Sequence, residues 1–439
     1  MRVCIFEDNK FDNLYPLTYL RPVFELRCGN TTLFEKIKRK FPKEEVSFFM
    51  RECLVKVFKN KIGNAKINDF EGLKDDCLFI NGRILLIDSK LQLDGPEEIG
   101  VCSGDIVYAR IKKETAESII YKGTAPESGT LCGHPKGRVS QKLEEFLDII
   151  KQKIPNTEVS EKLINYPWDL VSNNGKAIKD DFNFIVGNKI EGVFSPQAAI
   201  WGSREKVYIA KSAEVQPFVV LDTTHGPIII DEKAKIYPFS RIEGPASIGK
   251  DSQILGAKIR EGTSIGPVCR VGGEVEESII HGFSNKYHDG FLGHAYLCEW
   301  VNIGALGTNS DLKNDYSQVQ VYVKGVLRDS NETKVGSFIG DHTKTSIGTF
   351  LNTGSVVGIM CNLVGSGGVL PKHIPSFIWF LNNRAYKGYG FRMMVETAKE
   401  AVSRRNVGMT EDDIDLLKYV YELTKEERNE MIAKGRVSG

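Results

Sequence analysis

Between Ile230 and Val271, eight apolar residues recur at near-regular six-residue spacing: Ile230, Ile236, Ile242, Ile248, Ile254, Ile259, Ile265 and Val271, with one step of five. A small residue usually follows four positions later, at Ala234, Ser240, Ala246, Ser252, Thr263 and Cys269. The phase returns downstream at Ile339, Thr345, Leu351, Val357, Leu363 and Val369. A period of six is neither that of an α-helix nor that of a lone strand. It fits a parallel β-helix whose short flat faces each point one aliphatic side chain inward. The small residue then turns the corner, where a larger one would collide with the next coil. The 42 glycines suit such tight corners.

A chain of 439 residues is expected to hold two domains and an appendage. Its 58 basic and 57 acidic residues leave a net charge of +1, which gives no reason to expect a nucleic-acid or anionic-membrane partner. The nine cysteines include no Cys-x-x-Cys pair. They read as reduced core residues of a cytoplasmic protein, not as a disulfide or zinc framework. The apolar run Val3–Phe6 is cut by Glu7 and Asp8, too short for a signal peptide. No apolar stretch approaches a membrane span.

Four parts follow along the chain. Residues 1–164 read as α/β, with strands at Val3–Phe6, Cys77–Asn81 and Ile84–Ile87 and helices at Thr32–Phe41 and Lys142–Lys153. The connector, 165–185, opens with NYPWDLVSNN (Asn165–Asn174), whose Pro and paired Asn predict a turn beside a short helix. Residues 186–375 hold the hexads, interrupted by a loop-like insertion at Ser310–Thr333. Residues 376–439 read as a helical extension packed on the coils, with Thr410 and Asp413 as a capping box before Ile414–Leu423.

Two runs within the hexad region, SNKYHDGFLGHA (Ser284–Ala295) and VNIGA (Val301–Ala305), carry a resemblance. They resemble the acetyltransferase half of the bifunctional N-acetylglucosamine-1-phosphate uridyltransferase/glucosamine-1-phosphate N-acetyltransferase family. NYPWDLVSNN looks like the connector of archaeal-type members. LYPLTYLRPVFELRCGN (Leu14–Asn30) looks like the start of a divergent nucleotidyltransferase branch. The resemblance implies a nucleotidyltransferase-like α/β domain, a left-handed parallel β-helix and a homotrimer. It also implies acetyl-CoA and UTP or another NTP as co-substrates, a sugar phosphate as acceptor, and Mg²⁺. Placed without gaps, the family's catalytic His falls on His288 and its second-run Asn on Asn302. Phe291 stands where the family has a Tyr. Lys258, Arg260, Arg270 and Lys286 are the alternative phosphate partners, because a family Lys falls near the acidic Glu276. Lys313 and Lys344 are expected to meet CoA phosphates. Arg21, in a basic-Pro pair, is expected to contact triphosphate, and Asn81 to stand at the metal.

The chemistry asked of these residues is specific. Acetyl transfer needs a base near neutral pKa, which a histidine supplies, and a donor to the tetrahedral oxyanion, which an asparagine amide can be. Two departures bear on the N-terminal half. The loop Glu7–Tyr15 contains no glycine, whereas triphosphate is usually cradled by bare backbone N–H groups. Asn81 replaces the carboxylate that a hard cation favours. Two other readings therefore stay open. The chain could be a sugar-1-phosphate nucleotidyltransferase whose β-helix is a trimer scaffold or regulatory module, or a non-catalytic assembly protein.

Overall fold

The computed structural model describes residues 1–63, 65–73, 75–122, 141–185 and 189–437. Hexad residues take turns among three faces, because each six-residue step turns one corner. Ile209, Ile230, Ile248, Ile265, Ile280 and Leu297 stack in register on one face, followed by Ile339, Val357 and Ile374. Val215, Ile236, Ile254 and Val271 stack on the second, and Leu221, Ile242, Ile259, Val275 and Leu292 on the third. All are buried, and all the pairings are parallel, so the segment is the expected β-helix of the hexad, left-handed type. The corner residues Ala234, Ser240, Ala246, Ser252, Thr263 and Cys269 are buried too. At Gly266 an added Cβ would lie 1.9 Å from the carbonyl oxygen of His281 on the next coil, so this turn admits glycine alone.

The pattern departs from expectation at two inward positions. Val369 is exposed, and its neighbour Leu370 takes the inner place after a one-residue slip. Lys286 stands opposite Val271, on the inner side of its strand. The expected start of the coils, residue 186, lies outside the described residues. At the far end, Trp379–Leu381 pairs parallel with Asn362–Leu363 and turns back antiparallel through Arg384–Tyr386.

The N-terminal unit is a seven-stranded mixed sheet. Cys77–Asn81 runs at its centre, Arg2–Phe6 lies parallel between it and Val46–Phe49, and Asp105–Ile111 adds antiparallel on its other side. Helix Leu33–Lys40 starts at Thr32, whose hydroxyl accepts from Glu35 N–H while the Glu35 carboxylate accepts from Thr32 N–H. Helix Gln141–Lys153 covers the sheet with Leu143, Phe146, Leu147 and Ile150. Ile84–Leu85 is a shorter strand than expected, paired with Lys162–Leu163.

The connector is not a turn beside a short helix. Pro167–Asn183 is a helix of 17 residues with Pro at its start, where the missing N–H costs nothing. Asp169 caps it by accepting from the N–H groups of Asn165 and Tyr166. The Asn pair that suggested a turn serves packing instead. Asn174 is buried and accepts from Gly29 N–H and Ser264 Oγ while donating to the Gly262 carbonyl, so one amide joins the N-terminal unit to the coils. Asp181 accepts from Lys36 at 2.6 Å and Arg39 at 2.7 Å. The insertion is also more than a loop: Gln320–Val323 and Val326–Asp329 form a hairpin, and Val319, Val321 and Val323 are buried in the core shared with the N-terminal unit. The C-terminal helices Phe391–Ser403, Glu411–Leu423 and Lys425–Val437 together pack on both units, not on the coils alone. Leu416, Leu417 and Val420 meet Leu54 and Phe58, and Asn60 donates to Asp412 at 2.8 Å.

Replacing Ile254 by Ala should cost about 2–5 kcal/mol, because a rigid coil leaves the cavity unfilled. Thermal unfolding followed by circular dichroism should show a clear fall in midpoint for Ile254→Ala and none for Val369→Ala.

Candidate functional site

Strand Asn285–Lys286 and the corner after it carry the first run of the resemblance. Its outward residues form a polar ladder along one face. Arg270 pairs with Asn285, Asn285 with Asn302, and Asn302 with Lys344. Neighbouring rungs lie about 4.8 Å apart, so Arg270, Asn302 and Lys344 share one strip of surface. Asn285 donates to the Asn302 side-chain oxygen at 3.4 Å. Lys344 donates to the His342 carbonyl at 3.0 Å, and burial lowers its pKa. Arg405, from the turn after the first tail helix, reaches the same strip and donates to Asn285 Oδ1 at 3.0 Å. Burial and then the Arg405 charge hold the Arg270 guanidinium below its ordinary pKa.

His288 stands exposed on the corner that ends this strand, its ring 5.0 Å from that of Tyr287. Gly290, at φ 129°, brings the corner within reach of the next coil; a Cβ there would lie 2.2 Å from the Gly307 carbonyl oxygen. Phe291 opens the strand on the adjacent face, its N–H donating to Thr308 Oγ1 at 3.3 Å. The strip, the corner and Phe291 therefore form one continuous edge.

Other expected residues lie elsewhere. Lys286 is not a surface phosphate ligand. Its stem lies inside the coil, and Nζ donates to the carbonyls of Gly272 at 3.0 Å and His288 at 2.7 Å. Burial pushes its pKa down to about 8. Lys313 bonds within its own loop, to Ser317 Oγ and toward Asp315 at 3.7 Å. Arg21 is committed to the prism, where Asp341 receives both terminal nitrogens and Glu299 lies 3.2 Å away. It borders a cleft of about 440 Å³ with Glu25, Lys61, Glu299, Asp341 and Asp413, where its charge is already taken up by Asp341 and Glu299 and is not free for a triphosphate.

Asn81 does not offer a metal site. Its side-chain oxygen accepts from Arg83 N–H at 3.0 Å, and its amide donates to Asp8 and to the Ile106 carbonyl at 2.8 Å each. The fully buried Arg83 supplies the local positive charge, pairing with Asp8 at 2.5 Å and Asp105 at 3.1 Å. Burial alone would raise the Asp8 carboxyl, but Arg83 outweighs it and holds the pKa below the ordinary value. Among the described residues no three His, Cys, Asp or Glu side chains come together as ligands. The glycine-free loop is filled rather than open: Asn9–Leu14 is a 3₁₀ turn that buries Phe11 and Leu14, and Arg51 covers Phe11 while pairing with Glu7.

His294, inside the run Ser284–Ala295, anchors the insertion. Nδ1 bonds Asp311 at 2.8 Å and Nε2 faces Glu277 at 3.2 Å. Burial lowers its pKa, but the two carboxylates prevail and raise it to about 9. Arg405 and Asn285 were missed in the sequence. The only signal for Arg405 was the Arg404–Arg405 pair just past a helix.

Two measurements follow from these contacts. Asn81→Asp should leave Mg²⁺ affinity unchanged in titration calorimetry, because Arg83 already occupies the electrostatic place of the ion. The His294 anchor has a folded pKa above its unfolded value. Its contribution, on the order of 2 kcal/mol after allowance for the half-exposed Glu277, should be full below about pH 6.5 and lost as pH rises through about 9. Urea unfolding from pH 6 to 10 should show that loss in wild type and a flatter profile in His294→Gln.

Residues 3–190 match the family model described as sugar nucleotidyl transferase, a span that runs through the connector helix. A bifunctional sugar-1-phosphate nucleotidylyltransferase/acetyltransferase of Sulfurisphaera tokodaii is 36% identical over 144 residues, covering 30% of this chain and 34% of that protein. The bifunctional protein GlmU of Synechococcus elongatus is 27% identical over 195 residues, covering 44% of this chain and 33% of that protein. The chain thus spans about a third of the length of each relative. A solved UDP-N-acetylglucosamine acyltransferase is 16% identical and covers 53% of this chain and 81% of that one, at a TM-score of 0.20, too slight an overlap to bear on function. Residues 3–190 are therefore similar to a sugar nucleotidyl transferase domain, and in this chain they stand beside a hexad-repeat β-helix.

Proposed function

We propose that this chain is a transferase of sugar-nucleotide synthesis that works in the cytoplasm, with acetyl transfer from acetyl-CoA to an amino-sugar phosphate on the β-helix. One observation carries the reading. His288 projects from an exposed corner directly beside the polar strip that bears Asn302. In this reading His288 takes the proton of the acceptor amine as nitrogen attacks the thioester carbon. The Asn302 amide donates to the oxyanion, and CoA leaves as the thiolate. The name of the Sulfurisphaera tokodaii relative, a bifunctional sugar-1-phosphate nucleotidylyltransferase/acetyltransferase, supports the same pairing of activities.

The N-terminal domain is read as the nucleotidyl transferase half, moving a nucleotidyl group from UTP or another NTP to a sugar 1-phosphate. Its family match supports this. Mg²⁺ would serve such a transfer by neutralising the triphosphate. The residues around Asn81 do not fit that ion, so no role in the transfer is assigned to them.

A homotrimer completes the reading. The corner that carries His288 bears exposed apolar side chains on coils to either side, with Phe218 54%, Phe239 78%, Leu306 60% and Ile347 75% exposed. Phe218 and Phe239 stack at 5.7 Å. A monomer rarely leaves so many large apolar side chains bare along one corner, and closed three-fold packing would bury them and place a neighbour's surface over His288.

With acetyl-CoA and glucosamine 1-phosphate, a free-thiol assay should show turnover, and His288→Ala should lower it by roughly 10² to 10⁴. Light scattering should give a trimer for both proteins. An undiminished rate in the variant would remove His288 as base, and a stable monomer would remove the shared site.

A further inference from the structure

On the second face of the coils one inward position breaks the aliphatic rule. Val215, Ile236, Ile254 and Val271 stack in register, and the residue set against Val271 on the next coil is Lys286, only 2% exposed. Burial pushes its pKa down to about 8, against the opposing charge of Asp289. An ammonium has three N–H donors, and here two neutral carbonyls accept from it, Gly272 at 3.0 Å and His288 at 2.7 Å. A leucine or methionine in this column would bury as much apolar surface without desolvating a charge. The stacking of the coils therefore does not call for a lysine.

The corner that follows does call for one. Val271 pairs with Lys286 and Glu274 with Phe291, so two residues, Gly272 and Gly273, turn the lower corner, while four, Tyr287 to Gly290, turn the corner above it. The longer corner cannot be matched residue by residue from below. Its ends keep the ladder: Gly272 N–H donates to the Lys286 carbonyl at 2.7 Å, and Glu274 N–H to the Gly290 carbonyl at 3.1 Å. From the coil above, Leu306 N–H donates to the Asp289 carbonyl at 2.8 Å. The His288 carbonyl is held from inside instead, by Lys286 Nζ. Gly273, at φ 69°, makes room for the ammonium, since a Cβ there would lie 2.6 Å from Nζ. Tyr287, His288 and Asp289 are all exposed, so the corner depends on these backbone contacts for its shape.

We propose that Lys286 is the positioning residue of the His288 corner: its buried ammonium fixes the His288 carbonyl, and with it the direction in which the imidazole leaves the coil beside the strip that bears Asn302. What the positioned ring then does rests on the acetyl-transfer reading. Lys286 is closed off from solvent and acts only through His288. Proton abstraction is sensitive to such placement, because a shift of about 1 Å can cost on the order of a hundredfold in rate.

The test compares the full chain with Lys286→Met, which keeps the volume and removes the donors, and Lys286→Gln, which keeps an N–H donor on a shorter stem. Thermal melting should place Lys286→Met at or above wild type, since an apolar side chain replaces a buried charge. In hydrogen–deuterium exchange, the N–H groups of Glu274 and Leu306, which donate to the corner, should exchange about tenfold faster in Lys286→Met, with Gly266 on another face unaltered. With acetyl-CoA and glucosamine 1-phosphate, kcat should fall by roughly ten- to a hundredfold while KM holds, and Lys286→Gln should recover part of the loss. A Met variant that melts well below wild type, with faster exchange along all the coils, would assign Lys286 to the fold and overturn the proposal. Unaltered exchange at Glu274 and Leu306 would overturn it too, as would an unaltered kcat in a chain that turns over. If wild type transfers no acetyl group, the acetyl-transfer reading falls, and faster exchange confined to the corner in Lys286→Met still leaves Lys286 as the residue that positions His288.

Discussion

The stacking of one aliphatic side chain per face per coil is the constraint on which the structure depends. Each coil leaves its strand edges unpaired until the next coil lies on it in register, and register is set by the inward residue. Ile230, Ile236 and Ile242 therefore specify three faces, not one. The same constraint explains why Lys286 can stand inside. Its stem continues the column of Ile254 and Val271, and the carbonyls of Gly272 and His288 accept from its ammonium. A lysine there ties the carbonyl of the candidate base to the coil beneath, so the corner of His288 is held from within.

Rigidity of the coils turns a surface into a site only if neighbouring parts are fixed to it. Three buried polar contacts do this. Asn174 links Gly29 to Gly262 and Ser264, Arg21 links the first loop to Asp341, and Asp181 gathers Lys36 and Arg39. Breaking one partner of such a contact leaves a desolvated group, so the contacts define relative placement more sharply than apolar packing does. The tail, fixed on both units, can then deliver Arg405 to the polar strip.

In the N-terminal unit a buried ion-pair cluster stands where the sequence suggested a metal. Residues 3–190 match a sugar nucleotidyl transferase model. Yet Arg83, paired with Asp8 and Asp105, stands beside Asn81, where a divalent cation was expected from the sequence. A guanidinium held by two carboxylates satisfies the same local charge with no exchangeable ion. The glycine-free loop is consistent with this, since Phe11 and Leu14 fill the space that backbone N–H groups would otherwise line.

The sequence alone determined the coils, their corners, the central strands, the capped helix after Thr32 and the capping box at Thr410, because each rests on local periodicity or on a bond between residues a few positions apart. The hairpin was legible in the alternation of Val319, Val321 and Val323 before Lys324–Gly325, and was overlooked because polar residues dominate the insertion. What only the tertiary structure decided was the partner of each polar side chain. Nothing near Arg21, Asn81 or Lys286 in the chain announces that Asp341 lies 320 positions on, that Arg83 turns back on Asp8, or that a lysine faces inward. Arg405 meets Asn285 across 120 residues for the same reason. A charge is assigned its role by whatever folding places within a few ångströms of it, and that distance is not encoded in local pattern.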